Sequence, residues 1–556
     1  MNFPWLVLGA LGAAAISGAT ARLTRRYAAA AIAGSAAILL LHSSLYFHYT
    51  SDDAYISYRY ARNLSDGLGL VWNPGQHVEG YSNFLWVVMI AGLDKVGADI
   101  VLSGRWLGFA LAVGAAGGAY YLATRVVDGA AGRIAGLVAA LLLASSGTWA
   151  LWASAGLEPP LFAVLILAAV ALHLHERDHP SFGGSGAVWA LAVMARPDAL
   201  VLVGVSAAFK LGDAIMRVPT GDGQLRPIAR ELAAFLLWSA AFAAVFAPYF
   251  AWRYTTYGWL YPNTYYAKVG LGLTQYDRGL RYVAAFLEES GGWLLLVVPF
   301  AIAFTSERRA IALYLFALLA AWMTYIVYIG GDSLLRFRFF APVMPLFYAL
   351  VVASIAAIVE AIDAGNALKR WRAQATVGLV AAAALIFTLH PSAADSNLIV
   401  GERHAVADRV EIGRWLHANL PDTTTVAAVP VGAFAYESRL TVIDMLGISD
   451  EHIAHRDVDL GEFPAGHEKY DSEYVLDQHP DIIILFDDLS TSPRTSTDYE
   501  GLKSSFIPAV IDMLKSQRLA REYTRRAAML RDGKWLNVYV RLGSAPVLTR
   551  TEAAPP

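Results

Sequence analysis

The sequence predicts a polytopic α-helical membrane protein of about 11–12 spans with a soluble α/β domain at its C-terminal end. Three observations carry that expectation. Of the 556 residues, 56% are apolar and 16% charged, where soluble globular chains carry about a quarter charged residues. Apolar runs long enough to cross a hydrocarbon core of about 30 Å, roughly 17 to 25 residues each, recur about a dozen times. Charge is unevenly shared: residues 391–556 hold 17 basic and 25 acidic side chains, and the residues before them 26 and 21. The chain therefore divides near His390-Pro391 into a membrane domain, 1–390, and a soluble α/β domain, 391–556. A net charge of −3 gives no case for a nucleic-acid partner. Without cysteine there is no disulfide, thiolate nucleophile or Cys-type zinc site.

In order, the apolar segments read as spans at 4–21, 27–48, 105–123, 133–149, 158–174, 186–196, 198–212, 232–250, 292–306, 310–329, 339–360 and 373–390, the two around Arg196-Pro197-Asp198 being too short to cross alone. The first lacks a basic leader and is followed by Arg22, Arg25 and Arg26, which argues for a retained helix over a cleaved signal peptide. Taking that cluster as cytoplasmic and alternating the spans puts Arg125/Arg133, Lys210/Arg217/Arg226/Arg230, Arg308/Arg309 and Lys369/Arg370/Arg372 on the same side. The extracytoplasmic side then receives the first loop, 49–104, the loop 251–291, the Gly330-Gly331-Asp332 segment and the soluble domain. This agreement requires the runs either side of Arg196-Pro197-Asp198 to be two spans; one long helix would flip every loop downstream.

Within the first loop, Asp53 to Ser65 is expected as a helix with Asp52-Asp53 at its N-terminus, where the helix dipole favours negative charge. Asn73-Pro74-Gly75 marks a turn. The flanking Val71-Trp72 and His77-Val78 are expected to pair as a short hairpin, and Phe84 to Val96 to form a second amphipathic segment, both helices lying in the membrane interface. In the tail, helical stretches (Ala405 to Asn419, Pro508 to Arg518) alternate with β-branched runs (Thr425 to Val431, Ile482 to Phe486, Leu536 to Val540), the pattern of a small α/β domain. No internal repeat supports an inverted-repeat transporter.

Charged groups at membrane depth are costly and mark function. Asp52-Asp53, Arg196 and Asp198, Lys268, and Asp332 with Arg336 and Arg338 all fall at span ends or loops on the extracytoplasmic face. Carboxylates among Arg and Lys suit a reaction in which an anionic group leaves and a hydroxyl loses a proton. Asp198 or Asp332 offers oxygen ligands to a divalent cation, although no close carboxylate triplet requires one, and no other cofactor is implied. His42 and His48 read as interfacial, and His173, His175 and His179 as a weak metal pattern in a cytoplasmic loop.

The stretches Ser51-Asp52-Asp53-Ala54-Tyr55-Ile56-Ser57-Tyr58-Arg59-Tyr60-Ala61-Arg62-Asn63-Leu64, Gly67-Leu68-Gly69-Leu70-Val71-Trp72-Asn73-Pro74-Gly75 and Val78-Glu79-Gly80-Tyr81-Ser82-Asn83 resemble the first extracytoplasmic loop of GT-C membrane glycosyltransferases. Within that class the likeness is to mycobacterial-type terminal arabinofuranosyltransferases and their relatives. Ala195-Arg196-Pro197-Asp198, Tyr261-Pro262-Asn263-Thr264-Tyr265-Tyr266-Ala267-Lys268, Gly330-Gly331-Asp332 with Arg336, Arg338 and Pro342, and Val431-Gly432-Ala433 to Ile443-Asp444-Met445-Leu446-Gly447 extend it over most of the chain.

The resemblance implies a polyprenyl-phosphate sugar donor reached from the lipid bilayer and an envelope glycan or glycolipid acceptor, in a bacterial inner membrane. It places the catalytic acid or base at Asp52; the residues alone leave Asp52 and Asp53 both open. Substrate contacts are expected from Tyr55, Arg59, Arg62, Glu79, Tyr81 and Asn83 in the first loop. The later motifs add Arg196, Asp198, Asn263, Tyr265, Lys268, Asp332, Arg336 and Arg338, the cations meeting the lipid phosphate. Arabinofuranose is the sugar the likeness points to; an inverting and a retaining route both remain open. A lipid-linked glycan flippase is the competing class, and it would place ionisable groups at mid-span.

Overall fold

The computed structural model describes residues 3–46, 48–178, 183–216, 225–270, 272–304, 308–362, 393–486, 488–502, 507–530, 533–544 and 551–553. The expected last span, 373–390, and His179 lie outside them.

Helices α1 (Phe3–Thr24) and α2 (Tyr27–Ser43) precede the first loop, which folds as α3 (Asp52–Ser65) and α4 (Phe84–Lys95). Then follow α5 (Ile100–Val126), α6 (Gly129–Ser145), the short α7 (Gly147–Trp152), α8 (Pro159–Asp178), α9 (Gly184–Ala195), α10 (Ala199–Met216) and α11 (Leu225–Tyr257). After these come α12 (Asn263–Lys268), α13 (Leu273–Glu289), α14 (Val297–Phe304), α15 (Arg309–Ile329) and α16 (Met344–Ile362). Among the described residues, seven helices are long and apolar enough to cross a membrane, or eight if the bent pair Leu273–Glu289 and Gly292–Ala303 counts as one. Three shorter apolar helices, α2, α6 and α9, pack among them. Small residues make the close packing possible: α5 buries Gly104, Gly108, Ala112, Ala115, Ala116 and Ala119, and stripes of this kind let helix backbones approach where no hydrophobic effect drives association.

Pro197 ends α9, because the residue before a proline is pushed out of the helical region, and Arg196 is extended (φ −157°, ψ 122°). At the opposite end of these helices Glu176 on α8 accepts from Ser185 at the start of α9 and from Lys210 late in α10, and Arg177 pairs with Asp213 at 2.7 Å. Helices α9 and α10 therefore run in opposite directions and share an end at Arg196-Pro197-Asp198. Arg308 bonds Asp128 at 2.8 Å, bringing together two of the loops expected on one face.

Several expectations are corrected. Residues 251–291 are largely helical: α11 extends to Tyr257, and α12 and α13 follow, α13 meeting the next helix at 91°. The hairpin across Asn73-Pro74-Gly75 does not form, because these residues bond to the tail: Val442 N donates to Asn73 Oδ1 (3.0 Å), while Asn73 Nδ2 and Trp72 Nε1 both donate to Val442 O (2.9 Å each). Helix α3 does not present an open face to lipid: Ala54 to Ala61 are all buried within the protein. His173 is no loop residue but lies on α8, its ring stacked 4.6 Å from that of Tyr314.

The tail opens with a long helix, Ala393–Asn419, and builds one mixed sheet of β1 (Thr425–Ala428), β2 (Thr441–Asp444), β3 (Ile482–Ile484), β4 (Tyr523–Met529), β5 (Trp535–Arg541) and β6 (Thr551–Ala553). The strand order is β2-β1-β3-β5-β4-β6, parallel among the first three and antiparallel thereafter. Strand β2 is an edge, and Asn73 covers it with the same donor and acceptor pair a further strand would offer, which is one way proteins blunt an open edge. One face of the sheet is closed by the tail's own core, including Met445, Leu476, Ile483 and Met513. The other face joins the core of the membrane helices through Val426, Phe434 and Val442.

Candidate active site

A cavity of about 730 Å³ opens where the helix ends meet the tail. Each wall arrives by a different chain reversal. The start of α3 brings Asp53, the loop before α4 brings Tyr81 and Asn83, and the residue before α8 is Glu158. The break between α9 and α10 brings Arg196 and Asp198, α12 brings Tyr265 and Lys268, and the turn after α15 brings Asp332 and Arg338. That last turn depends on Gly330, whose φ of 81° ends α15 in the left-handed region. The tail supplies Ile448 and Ala465 as a roof. Deeper, Leu200 and Val201 on α10 face Ala321, Thr324 and Tyr325 on α15, and Leu200 is 43% exposed on the apolar flank.

The charges are arranged as pairs. Arg338 spans two carboxylates, donating to Asp332 through Nε (2.8 Å) and Nη2 (2.9 Å) and to Asp53 Oδ2 through Nη1 (3.1 Å). Arg196 holds both oxygens of Asp198 and reaches Glu158 Oε1 at 2.7 Å. Glu158 Oε2 accepts from Asn83 Nδ2 at 2.7 Å, and Asn83 also bonds Ser57 on α3. Asp198 and Asp332, expected as substrate or metal groups, are thus each gripped by an arginine fork, which fixes the two guanidinium groups toward the cavity. Among the described residues no group of three or more His, Asp and Glu side chains gathers to hold a metal ion.

Lys268 differs. Among the described residues it is the lining cation with no carboxylate at hydrogen-bond distance. Its alkyl chain lies under Gly466 of the tail, where a Cβ would sit 2.9 Å from Lys268 Cε; only glycine, at φ 84°, lets the tail come so close. Burial alone would raise the Asp53 carboxyl, but Lys268 and Arg338 outweigh it and hold it below the usual carboxylate range. Next to Gly466, burial and Lys268 push the His467 imidazole down, so it is neutral near pH 7. Tyr265 Oη and Tyr328 Oη meet at 2.9 Å on the adjoining wall.

Seven of the expected residues are not in the cavity lining. Asp52 turns to the tail, its carboxylate accepting from Gly432 N (3.1 Å) and Ala433 N (2.9 Å) with Arg409 at 3.5 Å. Arg59 is 5% exposed and donates to Trp72 O, Asn73 Oδ1, Ala435 O and Leu440 O, riveting the first loop to the tail. Arg62 stacks 3.4 Å over the Tyr436 ring and bonds Tyr436 O, and Tyr55 packs on that same ring from 5.5 Å. Glu79 is ion-paired with Arg253 at 2.7 Å. Asn263 Nδ2 donates to the carbonyls of Gly447, Ile448 and Asp450. Arg336 lies beside Gly147, and its carbonyl accepts from Trp152 Nε1. Arg336 apart, these side chains join the first loop and its neighbours to the tail or to α11. Glu158, in contrast, joins the site without having been expected, although it stands at the start of an apolar run just as the other charged residues do. Arg278, which ties Gly330 O to Phe463 O and Glu468 of the tail, has no comparable sequence signal.

Residues 397–539 match the profile of a family described as a Domain of unknown function (DUF8728). No curated protein matches the chain by sequence. Among solved structures, the chain is similar to ArnT from Cupriavidus metallidurans bound to undecaprenyl phosphate, with TM-score 0.54 and 14% identity, covering 92% of this chain and 98% of that one. It is also similar to the archaeal oligosaccharyltransferase AglB from Archaeoglobus fulgidus in complex with an inhibitory peptide and a dolichol-phosphate, with TM-score 0.51 and 11% identity, over 94% of this chain and 75% of that one. These likenesses establish the GT-C fold for the membrane helices, with a small sheet domain following them.

Proposed function

We propose that this protein is a GT-C membrane glycosyltransferase that moves a sugar from a polyprenyl-phosphate donor to an envelope glycan or glycolipid. The observation that carries the reading is the pairing, in one cavity, of a carboxylate, Asp53, held ionised by Lys268 and Arg338, with a lysine that has no carboxylate at hydrogen-bond distance. A phosphate supplies the hydrogen-bonded anion that Lys268 lacks. The apolar flank at Leu200, between α10 and α15, gives a prenyl chain a route from the bilayer, and the two solved relatives were seen with polyprenyl or dolichol phosphate.

In the displacement, an acceptor oxygen forms the new bond to the anomeric carbon while the bond from that carbon to the phosphate oxygen breaks. The bonding pair leaves on the lipid phosphate, which Lys268 and the outward face of Arg338 neutralise. The acceptor proton passes to Asp53. A carboxylate with a depressed pKa is a weak base, so this transfer is late, when the acceptor oxygen already carries positive charge. Asp198, Asp332 and Glu158 act through the arginines they orient and are positioning residues.

By the same reading the tail and cavity face the outside of a bacterial inner membrane, and the donor sugar is arabinofuranose. The test is mass spectrometry of lipid-linked sugars and envelope glycan in a deletion strain, paired with transfer by the purified chain. Accumulated polyprenyl phosphopentose with loss of a terminal pentose supports both parts. A different accumulated sugar replaces the pentose; no accumulation and no transfer refute the enzyme.

A further inference from the structure

A second recess lies round α3 from Asp53, reached by Tyr55 two residues and about 200° further on. Its upper part, about 720 Å³, is lined by Arg105 on α5, by Arg403, His404 and Arg414 on the helix Ala393–Asn419, and by His48. Its lower part, about 410 Å³, is lined by Leu40 and Leu41 on α2 and by Trp106 and Phe109 on α5. His48 and Arg105 belong to both, so the two form one trough, basic above and apolar below.

Three arginines face a single lining carboxylate, Glu411, in the upper part. Arg105 is steadied by Thr50 and Arg414 by Glu437, while Arg403 has no ion pair or hydrogen bond among the described residues. Below, Leu40 and Trp106 are 55% and 50% exposed on the flank that the bilayer surrounds. Ser154, only 2% exposed, also lines this part, and its hydroxyl has no partner among the described residues. A buried hydroxyl of that kind calls for an explanation, and an ester or phosphodiester oxygen provides one.

We propose that this trough binds one anionic phospholipid of the surrounding leaflet, its phosphate against Arg105, Arg403 and Arg414 and an acyl chain along Leu40, Leu41, Trp106 and Phe109. Charge complementarity selects the headgroup, and the continuity of the basic and apolar halves selects a lipid over a free anion. Because the basic half joins Arg403 and Arg414 of the tail to Arg105 of α5, and the apolar half belongs to α2 and α5, the bound lipid fastens the tail to the membrane helices. It does so outside the reaction cavity.

Native mass spectrometry of the full chain, released from bilayers of phosphatidylglycerol and phosphatidylcholine, tests this. One phosphatidylglycerol should stay bound, and Arg403→Glu or Ser44→Trp, which fills the apolar half from the exposed rim, should each lower its retention about tenfold. Arg26→Glu, an exposed arginine at the other end of the helices, should retain it. Wild-type retention in both trough variants, or equal loss in the Arg26 variant, would overturn the site. Displacement of the lipid by millimolar inorganic phosphate would overturn the choice of a lipid.

Discussion

Asp53 Oδ2 lies 3.1 Å from Arg338 Nη1, joining the first turn of α3 to the segment before α16, while the preceding residue, Asp52, bonds to the tail. Successive residues of a helix point about 100° apart, so two adjacent carboxylates at one helix start serve two surfaces. One is offered to the cavity and the other closes the roof.

Replacing Asp52 by Asn should therefore loosen the tail. Two backbone N–H groups and Arg409 lose a charged acceptor, a cost on the order of 1–3 kcal/mol. The thermal midpoint should fall and proteolysis within the tail should quicken, with measurable turnover remaining. Full loss of turnover at an unchanged midpoint would assign the base to Asp52.

Lys268→Met should raise the donor KM about tenfold or more; no hydrogen-bonded ion pair is broken, so stability should fall only by the loss of the charge that helps hold Asp53 ionised. Lys268→Arg should recover part of the affinity. An unchanged KM would remove the phosphate contact from the account.

The pH profile should follow Asp53. Its pKa in the folded protein is depressed below the ordinary 3.8, so the ionised form is favoured by folding; that stabilisation is present above the unfolded pKa and is lost as pH falls through the folded one. The acid limb of kcat/KM for the wild type should accordingly lie below the usual carboxylate range. In Lys268→Met it should move upward, since a cation holding the carboxylate has gone. A limb that stays in place would mean another group sets it.

Sidedness follows from the shared end of the helices. In this cysteine-free chain, cysteines at Ser333 beside the cavity and at Thr491 in the tail, both exposed, should label with an impermeant maleimide on intact cells. A cysteine at Thr24 should label only after permeabilisation. The reverse pattern would invert the membrane orientation.

The membrane architecture was legible in the sequence because apolar runs and arginine-rich loops are local signals, and so was the split at Arg196-Pro197-Asp198, where proline stops a helix. The charged motifs were legible as neighbours for the same reason: span ends on one face converge, and nine of the expected residues line one cavity. Direction was not. Arg59 and Asn263 carry the look of ligand contacts, yet their partners are backbone carbonyls of Ala435, Leu440 and Gly447, set by a tail that docks from more than 170 residues away. The missing hairpin at Asn73 has that same cause, since β2 outcompetes Val78 as its partner.

The most direct test is Asp53→Asn in the purified full chain, assayed with a polyprenyl phosphosugar and an acceptor glycan. Arg338 keeps Asp332, so the fold and donor binding should persist while transfer falls about 10²- to 10⁴-fold. A variant that keeps more than about a tenth of the wild-type rate, a barrier change under roughly 1.4 kcal/mol, would contradict the assignment of Asp53 as the base.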